Sequence, residues 1–297
     1  MSQTEAWTIG RLLTWTADYL KQHGSDTPRL DAELLLAEAK GCSRVALYTQ
    51  FTDVAADAER TAFRELVRRR AEGTPVAYLL GRREFYSLSF RVTGDVLIPR
   101  PETEFVVVAL LDRVKDRAKA GVSAEKPLSI ADVGTGSGIL AICAAKYVPN
   151  ARVTAIDVSP AALAVAKSNA ADHGAAGRIE FLEGDLLSGL PAEATFDFIV
   201  SNPPYVSESE FAALAREVRD HEPRRALVAG ERGTEVIERL VTQAAERLTP
   251  GGWLFMEISP MIEAAVRAIV EKEPRLELSA TVKDLAGLAR VVQSRKR

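Results

Sequence analysis

From Leu128 onward the chain repeats one pattern, a short apolar run followed by a helical run, and this alternation constrains the fold more than any other feature. Candidate strands are Leu128–Val133, Arg152–Ile156, Arg178–Leu182, Phe196–Val200 and, after a Pro-Gly-Gly turn, Trp253–Ile258. Helices are expected at Ile139–Lys146, Ala161–His173 and Thr234–Leu248, with another just beyond Pro101. Strands that alternate with helices lie parallel, because each crossover returns the chain to the same end of the sheet, and the helices cover both faces. Ligands of such sheets bind beyond the carboxyl ends of the strands. Functional residues are therefore sought just after each strand.

The first 83 residues show no strand signal. Leu12, Leu13, Thr16, Tyr19 and Leu20 recur at helical spacing before Gly24, Pro28 opens a second run that ends at Gly41, and a longer helix from about Ala55 to Glu72 is closed by Gly73 and Pro75. Helices this short are unstable singly in water, so they are expected to pack as a small bundle. Next, EFYSLSFRV alternates apolar and polar residues, Gly94 and Asp95 supply a turn, and VLIP is short and apolar, which reads as a hairpin. The expected organisation is an all-helical domain at 1–83, a β-hairpin linker at 84–98 and an α/β domain at 99–297.

Composition removes several function classes. Hydrophobic residues at 47% and charged residues at 27% are those of a folded globular chain. With 38 Lys and Arg against 41 Asp and Glu, the net charge of -3 lacks the basic excess of a protein that grips phosphate backbones. Cys42 and Cys143 stand apart, and His23, His173 and His221 are scattered, so neither a metal site nor a disulfide is expected. No leader pattern and no apolar stretch of ~18 residues is present, so no membrane partner is expected and the cytoplasm is the expected location.

The first strand of the alternation runs into Asp132-Val133-Gly134-Thr135-Gly136-Ser137-Gly138 and then directly into a helix. Such a turn brings backbone close to a ligand and offers the free N–H groups of a helix start. Its spacing is not GxGxxG, and the Gly-Lys-Ser/Thr of a P-loop is missing, which speaks against a nucleoside triphosphate. Asp157 ends the second strand, 19 residues beyond Gly138, where a carboxylate can accept both hydroxyl hydrogens of a ribose. Asp185, followed by Leu186 after the third strand, can accept from an adenine amino group. For both acids the plain alternative is a turn or capping residue. After the fourth strand comes Ser201-Asn202-Pro203-Pro204-Tyr205. Two prolines remove two N–H groups and leave carbonyl oxygens free. With the Asn202 side-chain oxygen these acceptors can hold both hydrogens of an NH2 group, while the Tyr205 ring packs on a planar substrate.

GTGSG, an acid at the next strand tip and NPPY together resemble class I S-adenosylmethionine-dependent methyltransferases that act on a planar nitrogen. RLDAELLLAEA (29–39), AYLLGRREFYSLSFRV (77–92), VLIPRPETE (96–104), HEPRRAL (221–227) and KDLAGLARVV (283–292) further resemble the PrmC/HemK family of peptide chain release factor glutamine methyltransferases, over about residues 28–293. The resemblance implies a Rossmann-like, seven-stranded methyltransferase sheet, a helical N-terminal domain that recognises substrate, and methylation of the side-chain amide nitrogen, N5, of the glutamine in the Gly-Gly-Gln motif of bacterial-type release factors. It implies S-adenosylmethionine as cofactor, S-adenosylhomocysteine as product, and no metal. It assigns Gly134, Thr135, Gly136, Ser137, Gly138, Asp157, Asp185, Leu186 and Asn202 to cofactor binding, and Asn202, Pro203, Pro204 and Tyr205 to catalysis. A monomer without a stable nucleic-acid partner is expected. The family often carries a Gly-Gly pair and a Glu-x-Gly-x-x-Gln-like segment where this chain reads VAGERG (228–233) and MEISPMIEAA (256–265).

Two basic features stay open at this level. Arg100 lies in a stiff segment that suits a helix start, with Glu102 and Glu104 near its positive end; the resemblance also places it near the substrate loop. The run Arg64–Arg70 is either a solvated helix face or a surface for an acidic or RNA-containing partner. Competing functions are a nucleic-acid amino methyltransferase, which presents the same NH2 group to NPPY but needs a phosphate-binding surface, a nonenzymatic cofactor-binding module, and a nicotinamide dehydrogenase, which the glycine spacing and the unexplained NPPY disfavour.

Overall fold

A computed structural model of the chain describes residues 6–119 and 127–297. The parts of the expected domains that fall at 1–5 and 120–126 lie outside the described residues. The chain divides into two units. One takes the residues up to Arg82 together with Ala215–His221, and the other takes Arg83–Leu214 and Glu222–Arg297. The return of Ala215–His221 to the first unit interrupts the continuous 99–297 stretch drawn from sequence.

In the first unit, helices Ile9–Gln22, Pro28–Lys40 and Asp57–Ala71 bury one stripe each, and Ile9, Leu13, Leu20, Leu35, Leu36, Leu47, Phe63 and Val67 form a shared core. Each such side chain contributes about 1.5–3 kcal/mol when fully buried. Two short helices, Arg44–Thr49 and Val76–Leu80, lack the length for a periodic signal and escape sequence reading. Both acids of RLDAE are buried and paired. Asp31 accepts from Arg70, Ser25 and Thr27, while Glu33 accepts from Arg29, Arg44 and Tyr48. Arg70 also reaches Glu217, at 2.7 Å, which fastens the returning segment. The basic run therefore splits. Arg70 is an internal tie, Arg68 bridges Glu65 and Glu72 on an exposed face, and Arg64 and Arg68 border a groove.

From the boundary at Arg82, the hairpin pairs Arg82–Phe85 with Leu88–Arg91. Its turn is Tyr86-Ser87, both in the left-handed region with φ of 49° and 60°. Gly94-Asp95 does form a turn, closed by the Val96 N–H on the Thr93 carbonyl at 3.2 Å, but it lies beyond the hairpin, and VLIP is not the second strand expected there. Two consecutive left-handed residues match the twist of a hairpin, and the mutually packed Phe85 and Phe90, both buried, set the register that requires the turn between them.

The main sheet contains β1 (Leu128–Val133), β2 (Ala151–Asp157), β3 (Ile179–Glu183), β4 (Phe196–Ser201), β5 (Leu248–Glu257), β6 (Leu276–Leu278) and β7 (Ala289–Lys296), in the spatial order β3-β2-β1-β4-β5-β7-β6. The pairs among β1 to β5 are parallel, whereas β7 is antiparallel to β5 and to β6. A two-residue strand, Val282–Lys283, adds to the outer side of β7, so the sheet counts eight strands around the expected seven. The Pro-Gly-Gly expected as a turn is drawn into β5 through a register shift against β4.

One face of the sheet packs on helices Glu104–Lys119 and Ile139–Tyr147, and the other on Glu235–Arg247 and Glu263–Glu271. Strand order reverses between β1 and β4, and this reversal opens a crevice at their carboxyl ends. There Val133 pairs with Ser201, and the Ser201 Oγ donates to the Val133 carbonyl at 2.7 Å. Among the described residues no helix is long and apolar enough to cross a membrane.

Candidate active site

The crevice holds a cavity of about 260 Å³ lined by Gly134, Thr135, Gly136, Ser137, Asp157, Asp185, Leu186, Asn202 and Pro204, together with Asp132, Arg100, Thr103 and Arg239. Of the residues singled out in the sequence, Gly138, Pro203 and Tyr205 stand behind this lining. A methyl at Gly138 would lie 3.1 Å from Ala166 and Ile142, so this glycine lets two helices approach closely. Pro203 is buried, and the Tyr205 ring packs on the core beneath β4 and β5.

The glycine turn is held by its own neighbourhood. The Gly134 and Thr135 N–H groups donate to the Ile156 carbonyl at 2.8 and 3.0 Å, and the Gly136 N–H donates to Asp157 Oδ2 at 2.9 Å. The other Asp157 oxygen accepts from the Ser159 N–H at 2.9 Å. Both carboxylate oxygens are thus fixed by backbone and keep lone pairs toward the cavity. Gly136 has φ of 54°, and nothing lies within 4 Å of the position a Cβ would take. Its glycine requirement is conformational, and the space above it is free for a ligand.

Two residues missed in the sequence support this turn. Asp132, wholly buried near the end of β1, accepts from the Thr135 hydroxyl at 2.6 Å and from the Ala141 N–H at 2.9 Å, while its Oδ1 has no partner. Burial pushes its carboxyl up to about 7 against the opposing pull of those two hydrogen bonds. An acid inside the apolar run LSIADV is a legible anomaly. Asn169, also wholly buried, donates to the Ser137 carbonyl at 2.8 Å and exchanges hydrogen bonds with the Arg91 backbone. Nothing in the sequence marks it.

Asp185 is exposed and paired with Arg239, and the following Leu186 has φ of 55°. A left-handed leucine stores strain, which clusters at ligand sites.

On the far side of the crevice, Asn202 donates from Nδ2 to the Thr103 Oγ1 at 3.1 Å. Thr103 is completely buried, and so is Glu257 at the end of β5. Burial pushes Glu257 up to about 7, with the hydroxyl of Thr103 and the charges of Arg290 and Arg100 opposing. Tyr205 is raised to about 12 by burial and then by the charge of Glu257.

The segments VLIPRPETE, HEPRRAL and KDLAGLAR meet here. Arg100 donates to the buried Glu222 at 2.5 Å, Glu222 also accepts from the Ile98 N–H, and Arg290 lies between Asp284, at 2.7 Å, and Glu102, at 3.8 Å. Behind the turn, VAGERG pairs Val206–Ser207 with Val228–Gly230 and places Gly233 against the Tyr205 carbonyl oxygen, 2.7 Å from where a Cβ would stand. Among the described residues no group of three or more His, Cys, Asp or Glu is placed to hold a metal ion.

Sheet order, antiparallel β7, glycine turn and strand-tip acids define a methyltransferase of the class I, S-adenosylmethionine-dependent type. Residues 11–81 match the PrmC N-terminal domain and residues 119–230 the methyltransferase small domain. The release factor glutamine methyltransferase of Rhodopirellula baltica is 47% identical over 99% of this chain and 98% of its own length, and that of Geobacter sulfurreducens is 42% identical over 86% and 85%. The chain belongs to the release factor glutamine methyltransferase family. Among solved structures, the hMettl16 catalytic domain in complex with an RNA hairpin of the MAT2A 3'UTR shares the fold at a TM-score of 0.53 and 15% identity, covering 77% of this chain and 81% of that one. The T. thermophilus 16S rRNA N2 methyltransferase RsmC, in complex with AdoMet and guanosine, does so at 0.50 and 20%, covering 73% and 50%.

Proposed function

We propose that this protein transfers the methyl group of S-adenosylmethionine to the N5 side-chain amide of the glutamine in the Gly-Gly-Gln loop of bacterial-type peptide chain release factors, leaving S-adenosylhomocysteine. The carrying observation is the pairing of Asn202 with Thr103. With its NH2 turned to Thr103 at 3.1 Å, Asn202 presents its oxygen to a cavity whose other wall is the glycine turn.

The residues fit the cofactor. Asp157, immobilised by two backbone N–H groups, accepts the ribose hydroxyls. Gly134, Gly136 and Ser137 border the amino-acid portion, with the unpartnered Asp132 oxygen beneath the turn. Asp185 and Leu186 border the adenine. When bound, S-adenosylmethionine supplies a methyl group on a positively charged sulfur.

The amide nitrogen is a poor nucleophile, because its lone pair is delocalised into the carbonyl. Asn202 Oδ1 and the Pro203 carbonyl accept its two hydrogens, orient the nitrogen toward the methyl and favour the positive charge that develops there. Pro204 and Tyr205 shape the turn that carries both acceptors. As the N–C bond forms, the S–C bond breaks. The alkylated nitrogen, now strongly acidic, then loses one proton to water, so no dedicated base is required.

The helical unit is the second part of the reading. Trp7, Trp15, Tyr19 and Phe63 line a groove bordered by Arg60, Arg64 and Arg68, with Trp15 half exposed and stacked on Tyr19 at 5.1 Å. Aromatic side chains beside arginines suit an acidic protein surface, and this groove is the proposed contact for the body of the release factor. The enzyme is read as a cytoplasmic monomer with no stable nucleic-acid partner.

The test is transfer of tritiated methyl to a purified release factor, to its Gln→Ala tip variant, and to duplex DNA and RNA. Label on the intact factor alone is expected. Label on the tip variant, or on nucleic acid alone, contradicts the assignment.

A further inference from the structure

We propose that Gln243 is a positioning residue for the cofactor's base: through one hydrogen bond it holds the loop after β3 in the shape that recognises adenine, and with Arg239 and Arg247 it makes helix Glu235–Arg247 the template of that loop. This role rests on the reading of Asp185 and Leu186 as the border of the adenine.

The loop over residues 185–192 contains neither helix nor strand. Its backbone groups therefore need partners from outside the loop. One face of helix Glu235–Arg247 supplies them. Residues four apart stand one above the other on a helix, and three such residues meet the loop in order. Arg239 pairs with Asp185 through Oδ2, Gln243 Oε1 accepts from the Leu187 N–H at 2.8 Å, and Arg247 donates to the carbonyls of Leu190, Pro191 and Ala192 at 3.1, 2.5 and 2.8 Å. Another face of the same helix buries Ile237, Leu240, Val241 and Ala244 in the core. The helix is thus the fixed partner, and the loop is the one held.

Gln243 acts where the loop is strained. Leu186 is left-handed, with φ of 55°, a conformation that a leucine keeps only where its surroundings over-determine it. Its neighbour provides that restraint, because the Leu187 side chain is buried in the core and the Leu187 N–H is the group that Gln243 holds. The bend lets Leu186 line the cavity while Leu187 enters the core. It also sets where the Asp185 carboxylate stands. Arg239, itself part of the cavity lining, takes one oxygen of that carboxylate and leaves Oδ1 for the amino group of a base. Both partners of this ion pair are half exposed, so it adds little stability and its effect is orientation. Without the Gln243 bond Leu186 is free to relax, and Leu186 and Asp185 lose their common geometry.

The experiment exchanges the base. Calorimetry on the full chain gives Kd for S-adenosylhomocysteine and for S-inosylhomocysteine, in which an oxygen replaces the amino group, with thermal melts on every variant. Wild type is expected to bind the adenosyl form about tenfold more tightly, since the carboxylate of Asp185 accepts from an amino group and repels an oxygen. Gln243→Met keeps the length of the side chain and removes its amide acceptor. It should weaken the adenosyl form about 3- to 10-fold, the scale of one hydrogen bond, and the inosyl form by no more than about twofold, because that base has no bond to Asp185 to lose. Gln243→Glu retains an acceptor oxygen between two arginines and should restore the wild-type ratio.

An unchanged adenosyl affinity in a folded Gln243→Met protein overturns this role. Equal losses for the two ligands do so as well, since they mark general damage to the cavity, and so does a Gln243→Glu protein that restores nothing. If Gln243→Met does not fold, Gln243→Asn, whose acceptor is withdrawn by one methylene from Leu187, is judged by the same ratio. A wild type that binds both ligands alike removes Asp185 from the adenine and takes this role with it. A wild type that binds S-adenosylhomocysteine and prefers it, yet labels no release factor, brings down the function reading alone.

Discussion

Where β1 and β2 end, the cavity wall is built from nearby backbone. Asp132 binds an amide nine residues on, and Asp157 binds one 21 residues back. Where β4 and β5 end, the supports come from far away along the chain: Asn202 from Thr103 across 99 residues, Arg100 from Glu222 across 122. The first wall can be shaped by a single βαβ segment and would suit any transferase that binds the same cofactor. The second exists only when several distant segments meet, and it is where a choice of acceptor group can be imposed. Cofactor affinity and acceptor chemistry should therefore respond to different substitutions.

The sharpest way to break this division is Asn202→Ala. Loss of an oriented acceptor is expected to lower kcat about a thousandfold, with S-adenosylmethionine binding still measurable by calorimetry. Equal losses in both would merge the two walls. Asp157→Ala is the converse. Hydrogen bonds to a charged group contribute about 1.5–3 kcal/mol, so the cofactor Kd should weaken roughly 10- to 100-fold, while kcat at saturating cofactor changes little. An unchanged Kd would remove Asp157 from the ribose.

Gly233→Ala probes the acceptor wall through its backbone. A Cβ there meets the Tyr205 carbonyl oxygen at 2.7 Å, and φ is 79°. A destabilisation of about 1–3 kcal/mol, measured by denaturant unfolding, should accompany reduced turnover without a matching loss of cofactor affinity.

Asp132→Asn leaves both walls in place, and its effect is expected as a pH dependence of stability. Asp132 has its carboxyl raised from 3.8 to about 7 in the folded state. Between those values the folded protein binds more protons than the unfolded one, so wild type loses stability as pH rises and levels off above 7. Asparagine lacks that loss. Its melting temperature relative to wild type should climb across this interval, and a constant difference would contradict the burial account.

The same division explains what could be read from sequence. GTGSG, Asp157, Asp185 and NPPY follow strand ends, and an apolar run announces each strand. Thr103, Asn169 and Glu222 are ordinary polar residues until partners far away in sequence reach them. Glu257 closes an apolar strand and is anomalous there, whereas the partner of Asn202, Thr103, is supplied only by the folded chain. At the hairpin, Gly94-Asp95 has the stronger turn chemistry and does turn, yet the reversal between the paired strands forms at Tyr86-Ser87 because burial of Phe85 and Phe90 decides the register. The short helices at Arg44–Thr49 and Val76–Leu80 are likewise products of the bundle rather than of local pattern.

The central claim is that the Asn202 wall selects a side-chain amide, and locating the transferred methyl tests it most directly. A release factor treated with the enzyme and S-adenosylmethionine, then sequenced by fragmentation mass spectrometry, should carry one methyl group on the amide nitrogen of the glutamine in its Gly-Gly-Gln loop. A methyl group on any other residue, or an unmodified factor under conditions in which the cofactor is bound, would contradict it.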